Sequence, residues 1–385
     1  MLVRPDARTL LTYCLNIHRG ESWAETFAAL RGPALSVAQR MADGQTFGLG
    51  LRLSARAAEE LGEPGPRRDL QEFLARHHLL AFTINGFPYG PFHGAAVKQQ
   101  VYEPDWQTAE RERYTAQLAD LLAALLPPGQ DGSISTVPVG FVPNLAAPSA
   151  QAAAVQRLLS TVRHLARVEA ETGREIHLGL EPEPSCFLET SREFIRFYES
   201  LLAAAGPGEE ALVRRHLGVC FDTCHVALAF ENLAEAWDRY TAAGVRISKV
   251  QVSAALQAAP SREARRALRA FVEPTYLHQA RARDAAGAVR AWLDLPELLA
   301  AWPTDVEQLR VHFHVPLFWA PEGPLQSTAP TLDEAFWARA ADGRCTHFEV
   351  ETYTFDVLPP ALRRGDVVAS IVGELNWAQP KLRGE

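Results

Sequence analysis

The stretch GVCFDTCHVALAF, residues 218–230, runs apolar, places Asp222 and His225 three residues apart, and turns apolar again. A carboxylate and an imidazole at the end of a buried run are donor types that suit a divalent cation. The chain repeats the arrangement. LGLEP carries Glu181 with Glu183 beyond it, KVQVS offers Gln251, VHFHVP offers His312 and His314, and FEVETY offers Glu349 and Glu351. Oxygens and imidazole nitrogens from several strand ends can meet at one cation, whose charge offsets their mutual repulsion. Without a cation such a gathering repels itself.

Each donor taken alone also has a plainer role. Asp222 can cap the helix that starts near residue 224. His312 and His314 fall on one face of an extended segment, opposite Val311, Phe313 and Val315, and can pair within a core. If the apolar face packs outward, His314 is the better ligand and His312 holds it from behind. Glu349 and Glu351 share a face as well. The constellation is more specific than any member.

A second group follows the third strand. NGFPYGPFHG sets Phe87, Tyr89, Phe92 and His93 among glycines and prolines, which suits an apolar wall over a small ligand with His93 turned inward. A rigid loop packed on the rim explains the aromatics equally well. Asn16 and His18, after the first strand, are further candidates, as is Lys249, two residues before Gln251. Cys224 beside His225 reads better as a small buried hydrophobe than as a soft ligand.

These residues need elements to hold them. Strand candidates fall at 9–16, 47–54, 79–86, 133–140, 175–182, 217–224, 246–253, 309–316 and 346–353, between helical stretches at 105–126, 149–172, 191–205, 231–243, 262–272, 286–301 and 331–341. Such alternation means a parallel sheet, and eight repeated units close it into an α/β barrel, whose chemistry sits at the C-terminal strand ends. Glu181 to Asp222 is 41 residues and His314 to Glu351 is 37, each suited to one unit. Gln251 to Glu351 is 100, so an insertion is expected at about 254–308 in a single domain over 1–385. Whether 309–316 is a stave or part of a hairpin stays open at this level.

Composition narrows the partners. Among 385 residues, 47% are hydrophobic and 22% charged, with a net charge of −8 and arginines scattered rather than striped, which argues against nucleic acid and for a small molecule. No apolar run is long enough for a transmembrane segment, and the N-terminus lacks a signal-peptide pattern. Five sparse cysteines read as reduced thiols, and the cytoplasm is the expected compartment.

LGLEP, CFDTCH, KVQVSAAL and FEVETYTF, in that order and at those intervals, resemble the xylose isomerase-like TIM barrels, a superfamily of sugar isomerases, epimerases and endonuclease-type metal barrels. The resemblance implies a divalent metal, zinc, manganese or magnesium, on Glu181, Asp222, Gln251 and Glu351. His225 would contact the substrate or a further metal. Gln251 departs from the histidine usual at that slot, and a neutral amide oxygen binds zinc-like ions more weakly than imidazole. His312 and His314 have the spacing and place of the pair that binds an additional metal in the endonuclease-type barrels. More narrowly, TYCLNIHRGESW (12–23), the segment 84–106 and VHFHVPLF (311–318) look like the EboE family, which implies a bacterial biosynthetic or metabolite-traffic setting with partners from the same gene cluster.

The leading expectation is a metal-dependent isomerase or epimerase of a sugar, polyol or related metabolite. Glu181 and Glu351 would move the proton beside a carbonyl that the cation polarises. Metal-assisted hydrolysis of a phosphorylated small molecule and a non-catalytic metabolite-binding protein are the alternatives.

Overall fold

The computed structural model describes residues 1–4, 8–42, 44–94, 96–363 and 365–385. Eight parallel strands form the staves of a barrel: β1 (Thr9–Tyr13), β2 (Phe47–Arg52), β3 (Leu79–Asn85), β4 (Gly132–Thr136), β5 (Ile176–Leu180), β6 (Leu217–Asp222), β7 (Arg246–Val252) and β8 (His347–Val350). They pair in sequence from β2 to β8, and β8 then pairs with β1. A parallel bridge between Cys14 and Gly50 brings β1 back to β2. The short strand Leu2–Arg4 lies antiparallel on β1. The expected (β/α)8 barrel is the fold observed.

Helices cover the outer faces because their apolar residues recur at helical spacing. Pro148–Thr172 buries Leu158, Val162 and Leu165, and Ser191–Ala204 buries Phe194, Phe197 and Leu201. Thr190 and Glu193 start the second of these with a reciprocal capping pair.

Between β7 and β8 the chain builds a separate five-stranded antiparallel sheet from 289–292, 280–283, 308–311, 256–258 and 325–327, in that order. Segment 309–316 therefore belongs to the insertion. Its first residues complete the strand Gln308–Val311, and the rest runs on to the barrel mouth. The helix expected at 286–301 is shorter, Leu295–Ala300, and Val289–Trp292 is a strand. The reason is local. The Asp284 carboxylate accepts from the backbone N–H groups of Ala286 and Ala288, and Gly287 sits at φ 87°, so the chain turns into a hairpin.

The inward faces of the staves are polar to an unusual degree. Period two puts His347, Glu349 and Glu351 on one face of the last stave, and His177, Gly179 and Glu181 on one face of the fifth. Contacts across the barrel give three layers. The rings of His177 and His347 lie 5.3 Å apart at the floor. Lys249 donates to Glu349 in the middle, with both side chains buried. Glu181, Asp222 and Glu351 meet at the mouth.

Candidate metal centre at the barrel mouth

The carboxylates come first. Glu181 follows β5, Asp222 ends β6 and Glu351 follows β8, and one oxygen from each lies within 4.8 Å of the others. All three side chains are buried. The Asp222 Oδ1 atom accepts from the backbone N–H of Cys224 at 2.7 Å and of His225 at 3.1 Å, and from Ser253 Oγ at 2.7 Å. The helix-cap reading is thus fulfilled by one oxygen, while Oδ2 has no partner. The Glu181 Oε2 atom is likewise buried and unpartnered. Asn16 Nδ2 donates to Glu351 Oε1 at 2.6 Å, and Asn85 Nδ2 approaches the same oxygen at 3.5 Å.

Burial, then the charges of Asp222 and Glu183, push Glu181 well above the usual carboxylate range. Burial, then Glu181 and Asp222, do the same to Glu351. Burial also raises Asp222, but His225, His314 and its hydrogen bonds outweigh it and hold the group below its ordinary value. A cation among these oxygens removes the repulsion.

Three imidazoles stand beside this set. His225 Nδ1 donates to the carbonyl of Pro182 at 3.0 Å, His312 Nδ1 to Gln279 Oε1 at 2.7 Å, and His314 Nδ1 to the carbonyl of Glu351 at 2.8 Å. The Gln279 amide is oriented by its nitrogen, which donates to Tyr102 Oη and the Pro184 carbonyl. Each Nδ1 therefore holds the ring proton, and each Nε2 is left as a lone pair. The Nε2 atoms of His225 and His312 are 3.1 Å apart, and those of His312 and His314 are 3.2 Å apart. Bare lone pairs at this separation repel unless a proton or cation lies between them. Burial, then its two neighbours, keeps His312 well below the normal histidine range, and burial lowers His314 to about 4, so these two rings stay neutral at ordinary pH. Asp222 groups with His225 and His314, and Glu183 with His225 and His312, which joins the imidazoles to the carboxylates.

The space above these donors is about 50 Å³, room for a few water-sized groups. Phe87 and Phe92 from the loop after β3, Tyr276 and Leu277 from the insertion, and Tyr353 after Glu351 form its apolar roof. Tyr102 Oη donates to Glu183 Oε1 at 2.7 Å beneath it.

Several residues singled out from the sequence are placed elsewhere. Both His93 nitrogens are engaged, by the Asn16 carbonyl and Tyr276 Oη at 2.6 Å each, so the ring braces the roof instead of facing the cavity. His18 bonds Tyr13 Oη at 3.0 Å, and Tyr89 packs edge-on against Tyr114. Neither lines the cavity. Lys249 lies one layer below the mouth on Glu349. The Gln251 Oε1 atom accepts from the Cys220 thiol at 3.1 Å, and its Nε2 is buried without a partner. The Cys224 sulfur lies within 4.8 Å of ligand atoms of His312 and His314, though burial holds it as a thiol. His312 does not stand behind His314. Its Nε2 is the central one of the three. Asn85, Tyr276, Gln279 and Tyr353 were not singled out. Asn85 had a signal, since it ends a barrel strand as the carboxylates do. Tyr276 and Gln279 depend on how the insertion folds, and Tyr353 on the loop that follows the last stave.

No family model and no curated protein matches the chain significantly. Solved structures do. A xylose isomerase-like TIM barrel protein from Mycobacterium smegmatis in complex with magnesium aligns over 98% of this chain and 97% of its own, at 10% identity and a TM-score of 0.54. A xylose isomerase domain protein from Planctomyces limnophilus aligns over 90% and 92%, at 16% identity and a TM-score of 0.50. The IolI protein with a bound zinc atom aligns over 97% and 98%, at 10% identity and a TM-score of 0.50. The chain shares the TIM-barrel fold of these proteins.

Proposed function

We propose that the chain is a metal-dependent enzyme that isomerises or epimerises a small sugar, polyol or related carbonyl metabolite at the barrel mouth. The observation that carries this reading is the meeting of Glu181, Asp222 and Glu351, with one oxygen each of Glu181 and Asp222 buried and unpartnered. The zinc and magnesium bound by two proteins of the same fold support a divalent ion on these donors, with His314 and the Gln251 amide beside them. Such an ion polarises a carbonyl or hydroxyl oxygen. Glu181 and Glu351 stand on staves that are not neighbours, an arrangement that suits approach to a bound carbon from two sides. One carboxylate takes the proton beside the carbonyl and the other returns one to the opposite face, which leaves the atom count unchanged.

The three imidazoles favour a second reading. A second ion on His225, His312 and His314 suits metal-assisted hydrolysis of a phosphorylated small molecule. Incubation with ketoses and aldoses in heavy water, with zinc, manganese or magnesium added, separates the two. Deuterium entering at the carbon beside the carbonyl, and lost in Glu181→Gln and Glu351→Gln, supports isomerisation. Phosphate release from sugar phosphates without exchange replaces it with hydrolysis.

The motif resemblance at 12–23, 84–106 and 311–318 supports a place in an ebo-type biosynthesis or metabolite-traffic pathway, with partners from that gene cluster. Five buried, unpaired cysteines support a reducing compartment such as the cytoplasm. Among the described residues no helix is long and apolar enough to cross a membrane.

A further inference from the structure

The opposite end of the barrel carries another donor cluster. Asp131 precedes β4, His177 lies near the start of β5, and His347 opens β8. The His177 Nε2 atom is 3.3 Å from Asp131 Oδ2, and His347 Nε2 is 3.4 Å from Asp131 Oδ1. Both rings are buried, whereas the Asp131 side chain is 31% exposed and opens the cluster to solvent on one side. Four residues separate His177 from Glu181 and His347 from Glu351 on the same staves, roughly 13 Å, so this cluster shares no atom with the mouth.

The tautomer of His347 is fixed from behind. Ser133 Oγ donates its hydroxyl proton to Thr83 Oγ1 at 2.7 Å and so accepts from His347 Nδ1 at 2.9 Å. The His347 Nε2 atom is then a buried lone pair aimed at a carboxylate, and it makes no hydrogen bond. Two acceptors facing each other need something positive between them. Arg246 Nη2 reaches only Asp131 Oδ2, at 3.4 Å, and its guanidinium is shared with Glu175. It offsets part of the carboxylate charge, while the neutral Gln130 amide donates to Oδ1 at 3.1 Å and leaves that oxygen a second lone pair toward His347. Ligands held at 2.0–2.2 Å around a tetrahedral ion stand roughly 3.3–3.6 Å apart; each imidazole nitrogen lies at such a distance from one Asp131 oxygen, and the three donors lie within 4.8 Å of one another.

We propose that Asp131, His177 and His347 form a structural site for a zinc-like divalent ion at the N-terminal end of the barrel. Two imidazole nitrogens and one carboxylate oxygen suit zinc or cobalt better than magnesium or calcium, and water reaching Asp131 completes the shell. The ion would tie β5 to β8, which are not neighbours in the sheet, and both to the turn before β4. The floor of such a barrel serves stability.

Zinc equivalents bound after chelator stripping, counted for the unaltered chain, Asp131→Asn and His347→Gln, test the site. The unaltered chain is expected to bind one equivalent more than either variant, and zinc is expected to raise its thermal midpoint more than theirs. Cobalt(II) should show a ligand-field absorption component that both variants lose. Equal equivalents and equal midpoint shifts in all three proteins would overturn the proposal and leave a proton-linked ion pair of His347 with Asp131. If His347→Gln does not fold, Asp131→Asn, altered at the partly exposed carboxylate, carries the comparison. Loss of metal at the mouth in Glu181→Gln leaves the floor count unchanged, so the two sites stand or fall separately.

Discussion

His314 donates its Nδ1 proton to the backbone carbonyl of Glu351 across 2.8 Å, which ties the inserted segment to the end of the last stave, where both side chains reach the mouth cluster. The bond does two things at once. It turns His314 Nε2 toward His312 and His225, and it fixes the backbone beside a carboxylate of the mouth.

Removal of any one of the three rings should therefore weaken metal binding, the central one included. His312→Ala and His314→Ala are each expected to lower zinc affinity at the mouth at least about tenfold, as loss of a coordinating or orienting contact does. Chelator competition measures it. Normal affinity in both variants would show that the imidazoles meet without an ion.

Gln251→His is expected to raise zinc affinity, because imidazole nitrogen is the better zinc ligand. In the unaltered chain the Cys220 thiol occupies the Gln251 oxygen, so Cys220→Ala alone should raise the affinity by freeing that oxygen. An unchanged chelator titration in both variants would place residue 251 outside the coordination shell.

The ion pair in the middle layer should be sensitive to loss of one partner. Burial works against the Lys249 charge, but Glu349 more than restores it and holds the amine above its usual range. Lys249→Met leaves Glu349 buried and unpaired, which is expected to destabilise the fold by about 3–5 kcal/mol in denaturant unfolding. The double variant Lys249→Met with Glu349→Leu should recover much of this.

Gly50 admits that carboxylate. A Cβ at this position would lie 1.7 Å from Glu349 Oε1 and 2.8 Å from the Tyr13 carbonyl, so Gly50→Ala must move backbone as well as side chain. A loss of about 1–3 kcal/mol or more is expected, read as a lowered thermal midpoint.

Glu374 gives the fold a pH dependence away from the metal donors. Its Oε1 accepts from the Leu317 N–H at 3.1 Å and from Thr352 Oγ1 at 2.6 Å, and burial raises its pKa to about 7 from 4.5. The folded chain keeps this proton where the unfolded chain has released it, so its contribution to stability falls as pH rises from about 4.5 to about 7. Glu374→Gln should stabilise the fold at pH 8 by an amount on the order of 3 kcal/mol, read as a raised thermal midpoint, and by less near pH 5. The same gain at both values would exclude ionisation of Glu374 as the cause.

The eight staves were legible because their patterns are local. Short apolar runs bounded by turns mark strands whose two faces are both occupied, and Glu181, Asp222 and Glu351 stand where those runs end. The chemistry of the mouth followed from those ends, since a barrel presents them together. The alternation of Val311, Phe313 and Val315 with His312 and His314 told less, because the strand ends at Val311 and all five residues are buried.

What tertiary structure alone decided concerns distance and direction between segments far apart in the chain. No periodicity tells that the segment after Val311 leaves an antiparallel sheet and runs to the barrel mouth, or that Tyr276 draws His93 away from the cavity. The position of Lys249 on Glu349 depends on register between β7 and β8, and the floor cluster joins residues from 131 to 347 through barrel closure. Local pattern fixes the face on which a side chain stands. Only closure of the barrel and docking of the insertion fix which atoms then lie 3 to 5 Å apart, because those separations are set by packing across the fold and not by spacing along the chain.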